Sequence, residues 1–159
     1  MGLEIERKFR VVSDAWRTDA ASAHIEQGYL AVGPPVGIRV RIQGDTATLN
    51  IKTATVSISR TEFEYEIPLD DARELLRGSC LGSVIEKTRF VLPYEGMRWE
   101  VDEFAGANEG LVVAEIELES EDQAFARPPW IGVEVSRDRR YHNTSLCLHP
   151  YSTWDAASR

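Results

Sequence analysis

The chain has 159 residues, with 18 Lys and Arg against 26 Asp and Glu, and a formal net charge of −8. This length suits one compact domain spanning 1–159, and a hydrophobic share of 43% is ordinary for a soluble globular protein. A general nucleic-acid binder is excluded as the expected class, because such a protein would carry a basic excess.

The cysteines and the amino terminus bear on the compartment. Cys80 and Cys147 form neither a CxxC pair nor a Cys/His zinc spacing. Two reduced thiols are typical of a cytosolic protein. The sequence has no apolar run long enough to span a membrane, and it lacks the basic-then-apolar start of a signal peptide. We therefore expect a cytoplasmic, soluble protein without a membrane partner.

Hydrophobic patterns predict a mainly β chain with a few helices. Strands are expected at about 3–12, 24–32, 37–43, 46–53, 59–68, 83–93, 96–104 and 110–119. Helices are expected over 13–21, 70–77 and about 138–148, with one or two more helical turns within 121–126. Short connections favour antiparallel neighbours, and eight such strands can close into a barrel that helices cover.

The first strand introduces a pattern that recurs along the chain. Side chains alternate between the faces of a strand, so Glu4, Glu6 and Lys8 share one face while Ile5 and Phe9 lie on the other. Later strands repeat this spacing, with bases at Arg39, Arg41, Lys52, Lys87 and Arg89, and acids at Glu62, Glu64, Glu115 and Glu117.

Sorting of the charges by sign has a physical consequence. Like charges two residues apart on one strand face lie about 7 Å from each other and repel. Rows of acids call for hard cations such as Mg²⁺ or Mn²⁺, and rows of bases call for a polyanion. Together they predict a site for a metal-bound oligophosphate. The pattern also leaves open a small barrel with an apolar interior, whose charged faces would meet water.

Other residues admit two interpretations each. Arg98, Glu100 and Asp102 share a strand face, where they would line the barrel or form a surface ion pair. Tyr29 would be a core residue or a hydrogen-bond donor within the site. The helix at 138–148 would close one end of the barrel or lie on the surface.

The ordered motifs resemble those of the CYTH domain family, also called triphosphate tunnel metalloenzymes. Glu4-x-Glu6-x-Lys8 resembles the ExExK signature of that family near the amino terminus. The further matches cover nearly the whole chain: Arg39-x-Arg41, Lys52, Arg60-x-Glu62-x-Glu64, Lys87-x-Arg89, Glu115-x-Glu117, and Trp130 to Val135 leading into Arg140-Tyr141-His142-Asn143. Ser136, where the family often has Thr, and Arg137, where a small or acidic residue is usual, depart from the pattern.

The resemblance implies an eight-stranded antiparallel barrel that encloses a charged tunnel. It implies two ions of Mg²⁺ or Mn²⁺, with ligands drawn from Glu4, Glu6, Glu62, Glu64, Glu115 and Glu117. Substrate phosphates would contact Lys8, Arg39, Arg41, Lys52, Lys87 and Arg89, with Arg60 and Tyr29 as weaker candidates. The residues assigned to catalysis are Glu4, Glu6, Lys8 and Lys87.

These residues suit in-line hydrolysis of a phosphoanhydride, which requires no Ser, His or Cys nucleophile. Glu4, Glu115 or Glu117 would orient the attacking water. Because many bases face the phosphates and no pocket for a nucleobase is evident, the leading hypothesis is an inorganic triphosphatase acting on tripolyphosphate. Alternatives are a nucleoside or thiamine triphosphatase, a class IV adenylate cyclase, whose His-Phe element is not found, and a non-catalytic polyphosphate-binding module. The expected partner is a small-molecule oligophosphate, and the expected state is a monomer or homodimer.

Overall fold

The computed structural model describes residues 2–18, 20–53 and 58–159. Its strands are β1 (Gly2–Val11), β2 (Ala21–Ala31), β3 (Val36–Gln43), β4 (Thr46–Thr53), β5 (Ser59–Glu66), β6 (Leu81–Tyr94), β7 (Met97–Phe104), β8 (Val112–Glu117) and β9 (Ile131–Glu134). Its α-helices are α1 (Leu69–Gly78) and α2 (Asn143–Leu148), and 3₁₀ turns span Gly106–Asn108, Arg139–Tyr141, Tyr151–Thr153 and Ala156–Ser158.

Strands β1 to β8 form a closed antiparallel barrel. The strands pair in the order β5-β4-β3-β2-β6-β7-β8-β1, and a further pairing of β5 with β1 closes the ring. In that closing pair Gly2 lies opposite Glu62 and Ile5 lies opposite Ser59. The predicted eight-stranded barrel is therefore confirmed, and closure leaves its strands without the exposed edges of an open sheet.

The short strand β9 was not predicted as a strand. It pairs with the second half of β1, beyond the part that β5 occupies. The Glu6 amide donates to the Ile58 carbonyl at 3.1 Å, and the Val135 amide donates to the Lys8 carbonyl at 2.8 Å. Because Glu6 and Lys8 are two residues apart, their backbone groups point to the same edge of β1, which β5 and β9 therefore share.

Of the predicted helices, only the one at 70–77 is confirmed as expected, by α1. The prediction of a helix over 13–21 was wrong. The described residues there form a turn, in which the Arg17 amide donates to the Asp14 carbonyl at 2.9 Å. Trp16 is buried there, with its ring 5.0 Å from that of Phe90. This packing and the early start of β2 at Ala21 replace a helix with a compact turn.

Two further helix predictions need correction. Residues 121–126 form no helix, and Phe125 instead packs its ring edge-on against Phe9 and Trp99. The helix at 138–148 is interrupted, because His142 has an extended backbone, with φ of −72° and ψ of 138°, between a 3₁₀ turn and α2. No helix in the described part of the chain is long and apolar enough to cross a membrane.

Apolar side chains cover the outside of the barrel in two patches. On β2, β3 and β4, helix α1 supplies Ala72 and Leu76 to a cluster around Val40. On β1, β7 and β8, the covering residues come from non-helical segments, namely Trp16, Phe125, Trp130 and Ile131. The expectation that helices would cover the barrel therefore holds for only part of its surface.

A third apolar cluster fills one end of the barrel interior. Ile85, Phe104 and Val113 lie on the same strand faces as the charged residues further along β6, β7 and β8, yet they are buried. Tyr141 and Leu146 of the carboxy-terminal segment pack onto them. This end is closed by apolar side chains, so the polar part of the interior does not extend through it.

Candidate active site

A cavity of about 460 Å³ lies within the barrel, and we call it the tunnel cavity. Inward-facing side chains from all eight barrel strands line it. The structure brings together the predicted site residues Glu4, Glu6, Lys8, Tyr29, Arg39, Arg41, Lys52, Arg60, Glu62, Glu64, Arg89, Glu115 and Glu117. The charged faces therefore point inward, and the alternative with an apolar interior is wrong for this part of the barrel.

Closure of the sheet places the charges in two opposing halves. The acid half consists of the adjacent strands β7, β8, β1 and β5, which contribute Glu100, Glu115, Glu117, Glu4, Glu6, Glu62 and Glu64 to the cavity. The basic half consists of the adjacent strands β4, β3, β2 and β6, which contribute Lys52, Arg39, Arg41 and Arg89. Lys8, Arg60 and Arg98 are bases within the acid half. Sorting of charge along the sequence has thus become separation of charge in space.

At the β1–β5 side, the carboxylates contact bases directly. Glu4 accepts hydrogen bonds from Lys52 Nζ at 2.8 and 3.0 Å and from Arg60 Nε at 3.1 Å. Burial alone would raise the pKa of Glu4, but the charges of Lys52 and Arg60 outweigh it and lower that pKa. Glu62 lies 3.4 Å from Lys52, and Asn50 Nδ2 donates to Glu62 at 2.8 Å.

On the β6–β8 side, a buried network joins acids and bases. Glu115 lies 2.9 Å from Lys8 Nζ and 3.0 Å from Arg89 Nη2. Burial alone would raise the pKa of Glu115, but the charges of Lys8 and Arg89 hold it well below its usual range. Arg89 also donates to both oxygens of Asp102, at 2.7 and 2.8 Å. This fork fixes the orientation of the Arg89 guanidinium beside the cavity.

Among the predicted site residues, Lys87 alone does not line the tunnel cavity. Its side chain is fully buried, Nζ donates to Asp102 at 2.6 Å, and it lies opposite Phe104 in the sheet. Burial lowers the pKa of Lys87 to about 8 in spite of the opposing charge of Asp102, and the nearby Arg89 adds to the effect. Lys87 therefore lies at the border between the polar interior and the apolar end.

The donor set of the acid half fits hard divalent cations. Within the described residues, no three Asp, Glu, His or Cys side chains converge closely enough to hold one metal ion, since the carboxylates contact bases instead. Three carboxylates are more weakly paired: Glu6 has Arg60 only at 3.7 Å, and Glu64 and Glu117 have no ion pair among the described residues. Burial and the negative charge of Glu115 raise the pKa of Glu6. A divalent cation shared by these carboxylates would remove that repulsion.

Several residues on or behind the cavity wall were not predicted from the sequence or had two open interpretations. Glu100 lines the cavity and also pairs with the exposed Arg98 at 3.0 Å, so both interpretations hold for it, whereas Asp102 lies buried behind the cavity and pairs with Lys87 and Arg89. Asn50, which holds Glu62, was missed although its spacing from Lys52 carried the signal. His142 was missed as well; it lines the cavity and its Nε2 lies 3.0 Å from the Ser136 carbonyl.

Tyr29 combines the two interpretations that the sequence left open. Its side chain lines the tunnel cavity, and it also belongs to the apolar cluster beneath the carboxy-terminal segment. It is 6% exposed, so its ring serves mainly as packing surface. The carboxy-terminal segment likewise both closes one end of the barrel and contributes His142, Asn143 and Thr144 to the cavity wall.

The fold and site together define a class: a closed antiparallel barrel that holds opposed acidic and basic walls around an internal cavity. The family model for the CYTH domain matches residues 2–146. The chain belongs to the CYTH domain family.

Individual relatives match over almost their full length. The chain is 47% identical to an inorganic triphosphatase of Acetivibrio thermocellus, covering 97% of this chain and 99% of that protein. It is 38% identical to an inorganic triphosphatase of Nitrosomonas europaea, covering 91% and 97% respectively. A crystal structure of an inorganic triphosphatase superposes with a TM-score of 0.69 at 35% identity, covering 93% of this chain and 96% of that one.

Proposed function

We propose that this protein is an inorganic triphosphatase, which hydrolyses linear tripolyphosphate within the tunnel cavity. One observation carries the proposal: an acidic wall and a basic wall face each other across the tunnel cavity. The relatives at 47% and 38% identity, both inorganic triphosphatases, support the same substrate. Apolar residues on the cavity wall are few, namely Tyr29, Ile58 and Leu118, so little surface is offered to a nucleobase.

The basic half suits the phosphate chain. Arg39 and Arg41 lie side by side on β3, and planar guanidiniums can each make two contacts with phosphate oxygens. Arg39 Nε and Gln27 Nε2 are buried without a hydrogen-bond acceptor in the described part of the chain. Buried donors normally have partners, and Arg39 lines the tunnel cavity while Gln27 does not, so the Arg39 donor supports an anion as the ligand.

The acid half suits divalent metal, and we propose Mg²⁺ or Mn²⁺, with two ions bound. The proposed ligands are Glu4, Glu6, Glu62, Glu64, Glu115 and Glu117, all on the cavity wall. Bound ions would neutralise phosphate charge and lower the pKa of a coordinated water. Binding of the metal-bound anion would exchange contacts such as Glu4 with Lys52 for contacts of each side chain with the ligand.

The proposed reaction is an in-line displacement. Water oxygen adds to a terminal phosphorus, the bridging P–O bond breaks, and orthophosphate and diphosphate leave, while the proton of the water passes to a carboxylate of the acid half. Lys8 and Arg89, held by Glu115, would stabilise negative charge on the transferred group. We propose Glu4, Glu6 and Lys8 as the catalytic residues, and Lys87, which does not line the tunnel cavity, as a residue that positions Asp102.

The test begins with Glu4→Gln and Glu6→Gln, which keep shape and remove charge. We expect tripolyphosphate hydrolysis to fall about 100-fold or more, since metal-assisted charge stabilisation would be lost. Binding of tripolyphosphate without metal should persist, because the basic half is intact. Glu109→Gln, at an exposed position away from the cavity, is the matched control. Unchanged hydrolysis in the two cavity variants would refute the assignment.

A substrate panel tests the specificity. Purified protein with Mg²⁺ or Mn²⁺ is given tripolyphosphate, ATP or thiamine triphosphate, and orthophosphate and cyclic AMP are measured. Tripolyphosphate should be turned over fastest, and cyclic AMP as the main product would overturn the proposal.

We further propose that the chain is one domain over 1–159, that it acts in the cytoplasm as a monomer or homodimer, and that it binds neither nucleic acid nor membrane.

A further inference from the structure

A second cavity, of about 570 Å³, adjoins the tunnel cavity, and we call it the basic annexe. The two cavities share Tyr29, Arg39, Lys52, Arg60, His142 and Thr144. The annexe extends from these residues to Arg139 and Ser145 of the carboxy-terminal segment and to the β2–β3 connection at Val32, Gly33 and Pro34. It therefore continues the phosphate-facing wall toward the molecular surface.

The annexe differs from the tunnel cavity in its charges. Its described lining includes four cationic side chains, Arg39, Lys52, Arg60 and Arg139, and no Asp or Glu. The tunnel cavity includes eight glutamates. A divalent cation needs oxygen ligands with negative charge, which the annexe does not supply. An anion can be held there by direct contacts with bases and hydroxyl groups.

Arg39 provides the inner donor of the annexe. It is 5% exposed, its Nη2 lies 3.6 Å from Glu62, and its Nε is buried without an acceptor in the described part of the chain. A buried guanidinium N–H left unpaired is costly, and an anionic oxygen would satisfy it.

Arg139 provides the outer donor. The neighbouring Arg140 is tied to Asp138, with Nη2 at 2.7 Å and Nε at 3.1 Å from its carboxylate. Arg139 has no ion-pair partner in the part of the chain that the structure describes, and its exposed side chain lies on the annexe wall. The hydroxyl groups of Thr144 and Ser145 add neutral donors nearby. A phosphate group in the annexe would thus meet donors on two sides.

We propose that the basic annexe is a metal-independent anion subsite, which binds the terminal phosphate group of an oligophosphate where no described carboxylate lines the wall. The inference rests on the proposed function, because it takes oligophosphate as the substrate. In this arrangement one end of the oligophosphate binds Arg139 and Arg39 through charge alone. Its other end lies between the acid and basic halves. Arg139 is then an affinity residue rather than a catalytic one.

The test compares Arg139→Ala with Arg137→Ala. Both arginines are exposed and lie two residues apart, but Arg137 lines neither cavity. Binding of tripolyphosphate is measured by calorimetry in EDTA, and kcat and KM are measured with Mg²⁺ or Mn²⁺. We expect Arg139→Ala to weaken metal-free binding about fivefold and to raise KM by a similar factor with a smaller change in kcat, as for a partly screened charge contact. Arg137→Ala should match the wild type.

Three results are decisive. Metal-free affinity that is equal in Arg139→Ala and wild type would overturn the subsite. Equal weakening by Arg137→Ala would overturn it too, since the effect would then be general attraction by a positive loop. If tripolyphosphate is not hydrolysed but its metal-free binding depends on Arg139, the proposed function fails while the anion subsite stands.

Discussion

The two faces of the same barrel strands carry different kinds of residue. On β1, Phe9 is 0% exposed and packs outward among aromatic rings, while its neighbour Lys8 faces the tunnel cavity and contacts Glu115. On β7, Trp99 and Val101 pack outward, and Glu100 and Asp102 face inward. Around the tunnel cavity, the outer face thus packs apolar side chains and the inner face provides the charged groups, one residue apart, while the apolar cluster at the closed end adds packing on the inner side.

The difference teaches that stability and activity should respond to different substitutions. Outward residues lose packing when truncated, and packing is worth several kcal/mol per large side chain. Inward residues are held by ion pairs, whose Coulomb attraction is offset by the cost of removing charges from water. The inner face can therefore keep a charged, exchangeable set of contacts because the outer face supplies stability.

The largest expected effect comes from Trp99→Ala on the outer face. The Trp99 ring lies 5.7 Å from Phe9, 5.8 Å from Phe125 and 5.7 Å from Trp130, so truncation leaves a cavity among aromatic rings. We expect the free energy of unfolding to fall by about 3–5 kcal/mol, measured by urea denaturation. Trp99→Phe is the matched control and should cost less, because it keeps a ring and removes an indole N–H that lacks an acceptor in the described structure. Equal stability of Trp99→Ala and wild type would contradict the role given to the outer face.

For Lys52→Met on the inner face we expect a smaller effect on stability and a loss of activity instead. Lys52 lies 2.8 Å from Glu4 and 3.4 Å from Glu62, and Arg60 still contacts Glu4 after the substitution. Since partly solvated ion pairs contribute little, the free energy of unfolding should change by about 1 kcal/mol or less. Loss of a phosphate contact should lower kcat/KM for tripolyphosphate by about tenfold or more.

The control for that substitution is Arg77→Met, an exposed position on α1, which should alter neither quantity. A large loss of stability in Lys52→Met with unchanged kcat/KM would reverse the comparison between the two faces.

Much of this division could be predicted from the sequence, because strand geometry fixes which side chains share a face. The alternation of Ile5, Glu6, Arg7 and Lys8 decides their sides wherever a strand forms, and in the closed barrel the face of Glu6 and Lys8 points inward while Arg7 lies on the other face. What alternation cannot give is depth along the barrel. Lys87 was placed on the correct face, but its partner across the sheet is Phe104, so it lies at the apolar end rather than on the cavity wall.

The failed helix predictions have a related cause. Residues 13–21 have an acceptable helical pattern, yet Trp16 packs against Phe90 on β6, which is distant in sequence. Phe125 likewise packs against Phe9 and Trp99. Such long-range contacts override weak local preferences, and they cannot be read from a window of neighbouring residues. The unpartnered Arg39 Nε, which supports the anion subsite, is equally a product of the assembled barrel.

The last expected effect depends on pH and concerns Lys87, the predicted site residue that does not line the tunnel cavity. Burial lowers its pKa to about 8 from 10.5, so between these values the unfolded chain holds a proton that the folded protein has released. Stability rises with pH wherever the unfolded state binds more protons. Wild type should therefore gain about 1–2 kcal/mol of unfolding free energy relative to Lys87→Met from about pH 8 to 10, measured by urea denaturation at each pH. Arg41, whose pKa burial lowers to about 10, titrates in both proteins, so its contribution largely cancels in the difference. If the difference in unfolding free energy between wild type and Lys87→Met does not change with pH, Asp102 keeps Lys87 charged. Lys87 would then belong to the ion-pair network of the inner face like its neighbours.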